Sequence, residues 1–365
     1  MPAKKSAVPT MPFGLDKARK FLDSTKSYGI VFDKDSDGIC SAALIVKYMR
    51  SRGITTVFAQ AKDETGINVS AGLLEQMNAC ETLVTCDLPI DQSGFVNALN
   101  VKRLLVIDHH TPVKNMSSKS VVHINPRFED AQIYRPTSYL AYALTQPFSL
   151  RYAWIAGIGV LGDYGLKDCK DLVDVVARDY PQLVTKNPYD QREMWKSGLG
   201  MLSAILAAAY GVKSSTGSTQ AFEIVSHAER PEDVTSSELM QYYDEFQGEL
   251  ERVIDDFERN ATRFSRANAY LYKLDSKYKI MSVLSTLVSE KHPDAVIILY
   301  RETAYHVEMS TRCQSGRIDV AEMMSALTRG IGTGGGHPKA AGGEADIEHG
   351  EELLERIRRK FEGLN

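Results

Sequence analysis

The stretch YGIVFDKDSDGICSAAL, residues 28–44, decides the fold. An apolar, β-rich run is followed by three aspartates at alternate positions, Asp33, Asp35 and Asp37, and passes at once into a helical pattern. A strand that turns directly into a helix opens a βαβ unit. In an extended segment residues i, i+2 and i+4 share a face, so the three carboxylates are expected to crowd together. Two carboxylates ~4 Å apart repel by ~4 kcal/mol at an effective dielectric of about 20, so the cluster needs cations or neutralising hydrogen bonds.

The same alternation runs on from residue 27 to 125: TTVFAQA, then SAGLLEQMNA; then TLVTCDL, RLLVIDHH and VVHIN. It predicts an α/β fold whose N-terminal domain is a doubly wound, mostly parallel sheet with helices on both faces. After INPRFED the pattern turns helical, and from about 190 to 265 it is almost wholly so, with SSELMQYYDEFQGELERVIDDFERNATRF reading as one long amphipathic helix. Strand-like NAYLYKL, AVIILY and AYHVEMSTR then return, followed by the glycine-rich RGIGTGGGHPKAAGG and a last helix, which predicts a smaller C-terminal α/β domain. The expected division is a flexible tail over 1–12, an α/β domain over 13–189, a helical connector over 190–265 and a second α/β domain over 266–365.

Composition sets the outer limits. With 365 residues and 43% apolar content the chain can bury a core in each of two or three domains. The longest apolar runs, AWIAGIGVLG and GMLSAILAAAYGV, fall short of the ~20 residues a membrane span needs. The start, MPAKKSAVPTMP, has no apolar block behind it and reads as a tail rather than a secretion signal, so a cytoplasmic protein is expected, with no membrane partner. Five cysteines without a C-x-x-C pair argue against a disulfide framework or a zinc ribbon. A net charge of -4 excludes a basic nucleic-acid coat but leaves room for a local basic groove.

Ligands in doubly wound folds gather at the carboxyl ends of the strands, and that is where the unusual polar groups fall. Asp33, Asp35 and Asp37 follow the first strand, Asp87 the third, and Asp108, His109 and His110 the fourth; Asp163, in LGDYG, ends an apolar helical run. Any one of these aspartates is more simply a helix cap or turn residue. Four such positions, one with a double histidine, point instead to a divalent-cation site, and oxygen donors with one or two imidazoles suit manganese or magnesium better than zinc or copper. GIGVLG (157–162) and GIGTGG (330–335) both satisfy G-x-G-x-x-G, but neither opens a βαβ unit after a clear strand, so a dinucleotide site is not expected.

In combination these motifs resemble the DHH phosphoesterases over nearly the whole chain. DKDSDG, TCDLP, VIDHH and GVLGDYG are similar to the four motifs of the DHH catalytic domain; STRCQSGRIDV with GGGHPKAAGG resembles the DHHA1 substrate-binding domain; and HINPR is similar to the RecJ-like branch of exonucleases and nanoRNases, with an archaeal-type RecJ character. Aspartate stands at Asp33 where many relatives carry histidine, which bears on metal preference. The resemblance implies two Mn2+ ions, with Mg2+ an alternative. Asp33, Asp35 and Asp87 hold one, and Asp37, Asp87, His109 and Asp163 the other, with Asp87 bridging. It places His110 against the scissile phosphate and gives Asp108 the role of orienting a histidine. In the second domain it implies phosphate contacts from Arg312, from the amides of Gly334, Gly335 and Gly336, and from His337, with Lys339 a weaker candidate.

General chemistry supports the same mechanism, because two cations ~3.5–4 Å apart lower the pKa of a shared water and stabilise charge during in-line attack on phosphorus. No Ser-His-Asp set or cysteine nucleophile stands out. The expected function is an Mn-dependent phosphodiesterase that removes nucleotides from an end of single-stranded DNA, RNA or short oligonucleotides, a cleft between two domains suiting a polymer end. One alternative is hydrolysis of small phosphate compounds, such as the dinucleotide pApA, 3'-phosphoadenosine 5'-phosphate (pAp) or pyrophosphate. Another is a RecJ-like replication scaffold that binds GINS; an active nuclease that also docks such a partner would use residues 190–265 as its candidate surface. Tyr164, Phe128, Tyr134 and Tyr139 lie near the motifs, where aromatic residues are core by default.

Overall fold

The computed structural model describes residues 12–63 and 68–362, so the tail expected over 1–12 lies, but for its last residue, outside the described residues. These fall into two compact units that divide between Tyr243 and Asp244.

The first unit is built on five parallel strands, β1 (Ser27–Phe32), β2 (Thr55–Ala61), β3 (Thr82–Cys86), β4 (Arg103–Ile107) and β5 (Val121–Ile124), in the order β2-β1-β3-β4-β5. Strand β1 is buried from Tyr28 to Phe32, as a strand covered on both faces must be, and its side chains alternate between two cores. Ile30 and Phe32, with Val84, Cys86, Leu105 and Ile107, face one. Val31, with Leu83, Leu104 and Val106, faces the other.

The first core is covered by α1 (Leu15–Asp23), α2 (Ser36–Ser51), α4 (Thr137–Thr145), α5 (Ala153–Gly162), α6 (Lys170–Asp179) and α8 (Gly198–His227), and the second by α3 (Ala71–Asn78). Helix α5 is buried from Ala153 to Leu161, which is why its sequence is apolar on every side. The short helices α7 (Gln191–Met194) and α9 (Pro231–Thr235) flank α8. Helix α8 packs on α2 and α5, so the stretch expected as a connector is helical and, up to Tyr243, forms part of the N-terminal unit. Its run is bent at Ser214, where φ is 57°.

The second unit has a six-stranded sheet of β6 (Thr262–Phe264), β7 (Ala269–Lys273), β8 (Val296–Glu302), β9 (His306–Arg312), β10 (Gly332–His337) and β11 (Ala340–Asp346), in the order β10-β11-β9-β8-β7-β6. Only β7 and β8 pair in parallel, and the crossover between them carries α11 (Met281–Lys291). Helices α12 (Val320–Thr328) and α13 (Gly350–Glu362) close its core. Helix α10 (Leu239–Asn260) is shorter than the helix the sequence predicts, because the segment ending in Phe264 leaves it to form edge strand β6. The glycine run of GTGGGH is a strand, not a loop: it pairs with β11 in a hairpin whose register sets Gly334 against Gly343 and His337 against Ala340.

All five cysteines are buried free thiols. Among the described residues no helix is long and apolar enough to cross a membrane.

Candidate metal centre

The strand order reverses direction between β1 and β3, and the crevice at such a switch point is where doubly wound sheets bind ligands. Three acidic residues stand one step beyond strand ends: Asp33 after Phe32, Asp87 after Cys86 and Asp108 after Ile107. The ladder continues through their amides, with Asp33 N–H donating to Cys86 O at 3.1 Å, Asp87 N–H to Ile107 O at 2.9 Å and Asp108 N–H to Ile124 O at 3.0 Å. Sheet geometry therefore fixes their backbones. Asp87 has a φ of 63°, a left-handed conformation that aspartate tolerates better than most residues.

The three alternating aspartates do not share an extended face as the sequence predicts, because the strand stops at Phe32 and a helix begins at Ser36. Asp35 is the N-cap of α2, and its Oδ1 accepts from the amides of Asp37 and Gly38 at 3.0 Å each. The cap reading is thus correct for Asp35, alongside whatever else its other oxygen does. Asp37 sits in the first turn, buried, and is gripped by the N-terminus of α4: Thr137 N–H donates to its Oδ2 at 2.6 Å and Ser138 N–H to its Oδ1 at 2.9 Å. This close approach needs Gly159 in α5, where a Cβ would lie 2.4 Å from Ser138 Oγ and 2.8 Å from Asp37 Oδ1. That glycine belongs to the GIGVLG decoy, and its role is helix packing.

His109 draws the centre together. Its Nε2 lies 3.2 Å from Asp87 Oδ1 and 3.1 Å from Asp163 Oδ2. His110 instead pairs through Nδ1 with Asp108 Oδ1 at 2.8 Å, and Asn125 Nδ2 donates to the His110 carbonyl at 2.9 Å. Potential ligand atoms converge in three overlapping groups, each within 4.8 Å: Asp33, Asp35 and Asp87; Asp37, His109 and Asp163; Asp87, His109 and His110. Asp108 belongs to none of these groups; its Oδ1 is hydrogen-bonded to His110 Nδ1.

The electrostatics are those of a site built for positive charge. Burial and then the neighbouring carboxylates Asp87 and Asp163 push Asp37 up to about 8. Burial, then Asp35, raises Asp87 to about 7, against the opposing pull of His109. Asp35 keeps part of its surface in water, yet crowding by protein atoms and then by Asp33, Asp163 and Asp37 raises it to about 7. Burial alone would lower His109, but Asp87, Asp37 and Asp163 outweigh it and lift the imidazole to about 10. Asp108 goes the other way: burial opposes it, but the His110 hydrogen bond holds it below the ordinary carboxylate range. Carboxylates driven toward protonation and an imidazole driven toward its charged form both mark a place where a cation relieves repulsion. Oxygen donors with imidazole suit manganese or magnesium, so the residues fit divalent cations of that kind.

Several residues of the centre escaped the sequence reading. Lys62, buried at the end of β2, places Nζ 3.5 Å from Asp33 Oδ1; no local pattern announces it. Thr137 donates to Asp87 Oδ1 at 3.1 Å as well as gripping Asp37, and here Pro-Thr-Ser before an apolar helix was a readable N-terminal signal. Tyr134, set aside as a core residue, donates from its hydroxyl to Asp163 Oδ2 at 2.7 Å, with its ring 5.3 Å from that of His109. Partners that orient ligands typically change metal affinity or activity 10- to 100-fold, so Tyr134→Phe is expected to weaken manganese binding by about ten-fold. Calorimetry with manganese checks this; an unchanged affinity would reduce Tyr134 to packing.

In the second unit Arg312 ends β9 opposite Ala340, the same residue that His337 faces across the hairpin. Arg312, His337 and Gly336 are therefore brought together at one end of that sheet, with Gly335 and Gly334 following along β10. Arg312 leans on Ser310 Oγ, the Thr311 carbonyl and Ser282 Oγ at 3.3, 3.1 and 3.4 Å, while Gly335, Gly336 and His337 are exposed.

Comparison with known proteins adds the family. Residues 28–163 match the model of the DHH family, N-terminal domain, and residues 267–363 that of the DHHA1 domain, together more than half of the chain. No curated protein matches the sequence. Among solved structures, the chain is similar to an exonuclease RecJ bound to manganese, at 19% identity and a TM-score of 0.70, over 97% of this chain and 96% of that one. It is also similar to RecJ from Thermus thermophilus in complex with Mn2+, at 18% identity and a TM-score of 0.70, but spans only 56% of that longer chain while 98% of its own length is covered. CDC45 from Entamoeba histolytica shares the fold at 10% identity and a TM-score of 0.54, over 95% of this chain and 98% of that one. The chain belongs to the DHH family of phosphoesterases, with a DHHA1 domain behind its DHH domain.

Proposed function

We propose that this protein is a manganese-dependent phosphodiesterase that hydrolyses single-stranded nucleic acid or short oligonucleotides from an end. The observation that carries the reading is the convergence of carboxylates from two strand ends, a helix start and a helix end with His109, in three overlapping groups of which two share Asp87 and two share His109. Asp33, Asp35 and Asp87 hold one cation, and Asp37, Asp87, His109 and Asp163 the other; magnesium is the alternative ion. When bound, such ions supply hydroxide near neutral pH and neutralise charge on the phosphoryl group. The chain does the rest: Thr137 and Ser138 fix the Asp37 carboxylate, Tyr134 fixes that of Asp163, and Asp108 holds His110 by Nδ1 so that its other nitrogen is turned to the scissile phosphate.

For the second unit we propose phosphate capture by Arg312 with the β10 amides of Gly334, Gly335 and Gly336 and with His337. A guanidinium offers a planar fork of donors that binds phosphate in two places at once. Arg312→Ala is expected to raise KM for oligonucleotide by about ten-fold or more and leave manganese affinity alone, since charge-assisted hydrogen bonds contribute ~1.5–3 kcal/mol. Calorimetry on both ligands decides; equal losses would remove Arg312 from substrate binding.

The test of the whole reading is incubation of the protein with manganese, then magnesium, and end-labelled DNA and RNA ladders beside pApA, pAp and pyrophosphate. Laddering from one end of the polymers supports it. Faster loss of pApA or pAp would move the function to small phosphate compounds. The absence of any turnover would favour the GINS-binding scaffold, against which stands the presence of a carboxylate or imidazole at each proposed ligand position.

A further inference from the structure

We propose that Tyr164 and Trp195 form a shelf on which an unpaired nucleobase of the substrate stacks beside the metal centre. The inference rests on the phosphodiesterase reading and names what lies next to the bond being cut.

Tyr164 follows Asp163 directly, so its Cα stands one step of ~3.8 Å from that of a residue whose carboxylate touches His109. Tyr164 is 63% exposed and Trp195 36% exposed, and their rings meet edge to face with centroids 6.1 Å apart. The pair is held by one carbonyl: Leu161 O accepts from the Tyr164 amide at 3.2 Å and from Gln191 Nε2 at 2.7 Å. Gln191 begins α7, and its own carbonyl accepts from the Trp195 amide at 3.1 Å. Two separate segments are thereby tied to the end of α5 that delivers Asp163.

Folding alone gives little reason for a tyrosine at this position. Its φ of 58° is left-handed, a conformation in which glycine or asparagine sits with less strain. As a largely exposed residue it also gains little from burial. A large aromatic surface placed in water, on strained backbone, next to a metal ligand is what base stacking needs, since every base offers a π-face and stacking tolerates any sequence. Because the rings meet edge to face, the base lies against the exposed surface of Tyr164 with Trp195 walling one side. A base inside a duplex is stacked on both faces and tied to its partner, so the shelf favours unpaired ends.

The test compares cleavage of oligothymidylate with that of the same backbone carrying abasic residues, in the full chain with manganese. Wild type is expected to prefer the base-bearing strand, and Tyr164→Ala and Trp195→Ala each to cut that preference by about ten-fold. Tyr164→Trp should keep it. Tyr164→Gly suits the backbone, so it is expected to hold or raise Tm and still lose the preference, which a merely structural tyrosine would not do. Binding is followed separately by tryptophan fluorescence, with a phosphorothioate oligothymidylate and magnesium. The chain has two tryptophans and Trp154 is fully buried, so the expected quenching reports Trp195 and disappears in Trp195→Phe. Equal losses on both strands, or no quenching, overturn the shelf. If neither strand is cut, the phosphodiesterase reading fails, and the quenching still decides for or against stacking.

Discussion

Replacing Asp87 by alanine is expected to lower kcat/KM on any phosphodiester by about a thousand-fold or more. Asp87 belongs to two of the three ligand groups, one with Asp33 and Asp35 and one with the two histidines, and its Oδ1 lies 3.2 Å from His109 Nε2. In the proposed site its removal would take a donor from both cations, and it would release His109 from one of the two carboxylates its Nε2 touches. Cation stabilisation of a phosphoryl transition state contributes several kcal/mol, and ~4 kcal/mol corresponds to about a thousand-fold. Alanine also suits the φ of 63° poorly, so a loss of folding must be told apart from a loss of chemistry. Asp87→Asn is the control, because asparagine tolerates left-handed backbone and keeps the shape while giving up the charge. Rates for both variants across a manganese titration, with Tm for each, check the expectation. Wild-type turnover by either at saturating manganese would remove Asp87 from the bridging position.

The second large effect is on stability. Gly38→Ala is expected to destabilise the N-terminal unit by about 3 kcal/mol, the upper part of the usual range for overpacking. A Cβ at Gly38 would lie 2.2 Å from the carbonyl oxygen of Asp33 and 2.7 Å from its nitrogen, and backbone atoms cannot swing away as a side-chain tip can. The start of α2 would have to back off, and with it the Asp35 cap and Asp37. A drop in Tm on the order of 10 °C is expected by thermal denaturation. Gly72→Ala is the contrasting case: it lies near the start of α3, with no atom nearer than 3.8 Å to a new Cβ, so it should hold or raise Tm. Equal behaviour of the two variants would mean that the turn after β1 is more pliant than its contacts imply.

What was legible in the sequence follows from what each signal records. The β1 run was readable because a strand buried on both faces must be apolar throughout, and Asp33, Asp87 and Asp108 stood out because polar groups at strand ends break that run. The crowding of Asp33, Asp35 and Asp37 on one extended face was misjudged, since alternation in the sequence cannot tell a strand that continues from one that ends at Phe32 and passes into a capped helix. The hairpin strand over 332–337 was hidden because glycine carries neither a hydrophobic period nor a β preference; its pairing with β11 is decided by the partner strand. Lys62 and Tyr134 were out of reach for a different reason: each meets its aspartate only after distant segments pack, and nothing local records that meeting. The end of the long helix before Thr262 was overrun for want of a glycine or proline to stop it.

All the proposed cation ligands, from Asp33 to Asp163, lie on one side of the division at Tyr243 and Asp244, and the proposed phosphate-gripping residues Arg312 to His337 lie on the other. On this proposal the cation ligands and the phosphate grip are carried on separate stretches of chain. Substitutions after residue 244 would then change the proposed phosphate grip while leaving the proposed ligand set, and the Tyr164–Trp195 shelf, as they are.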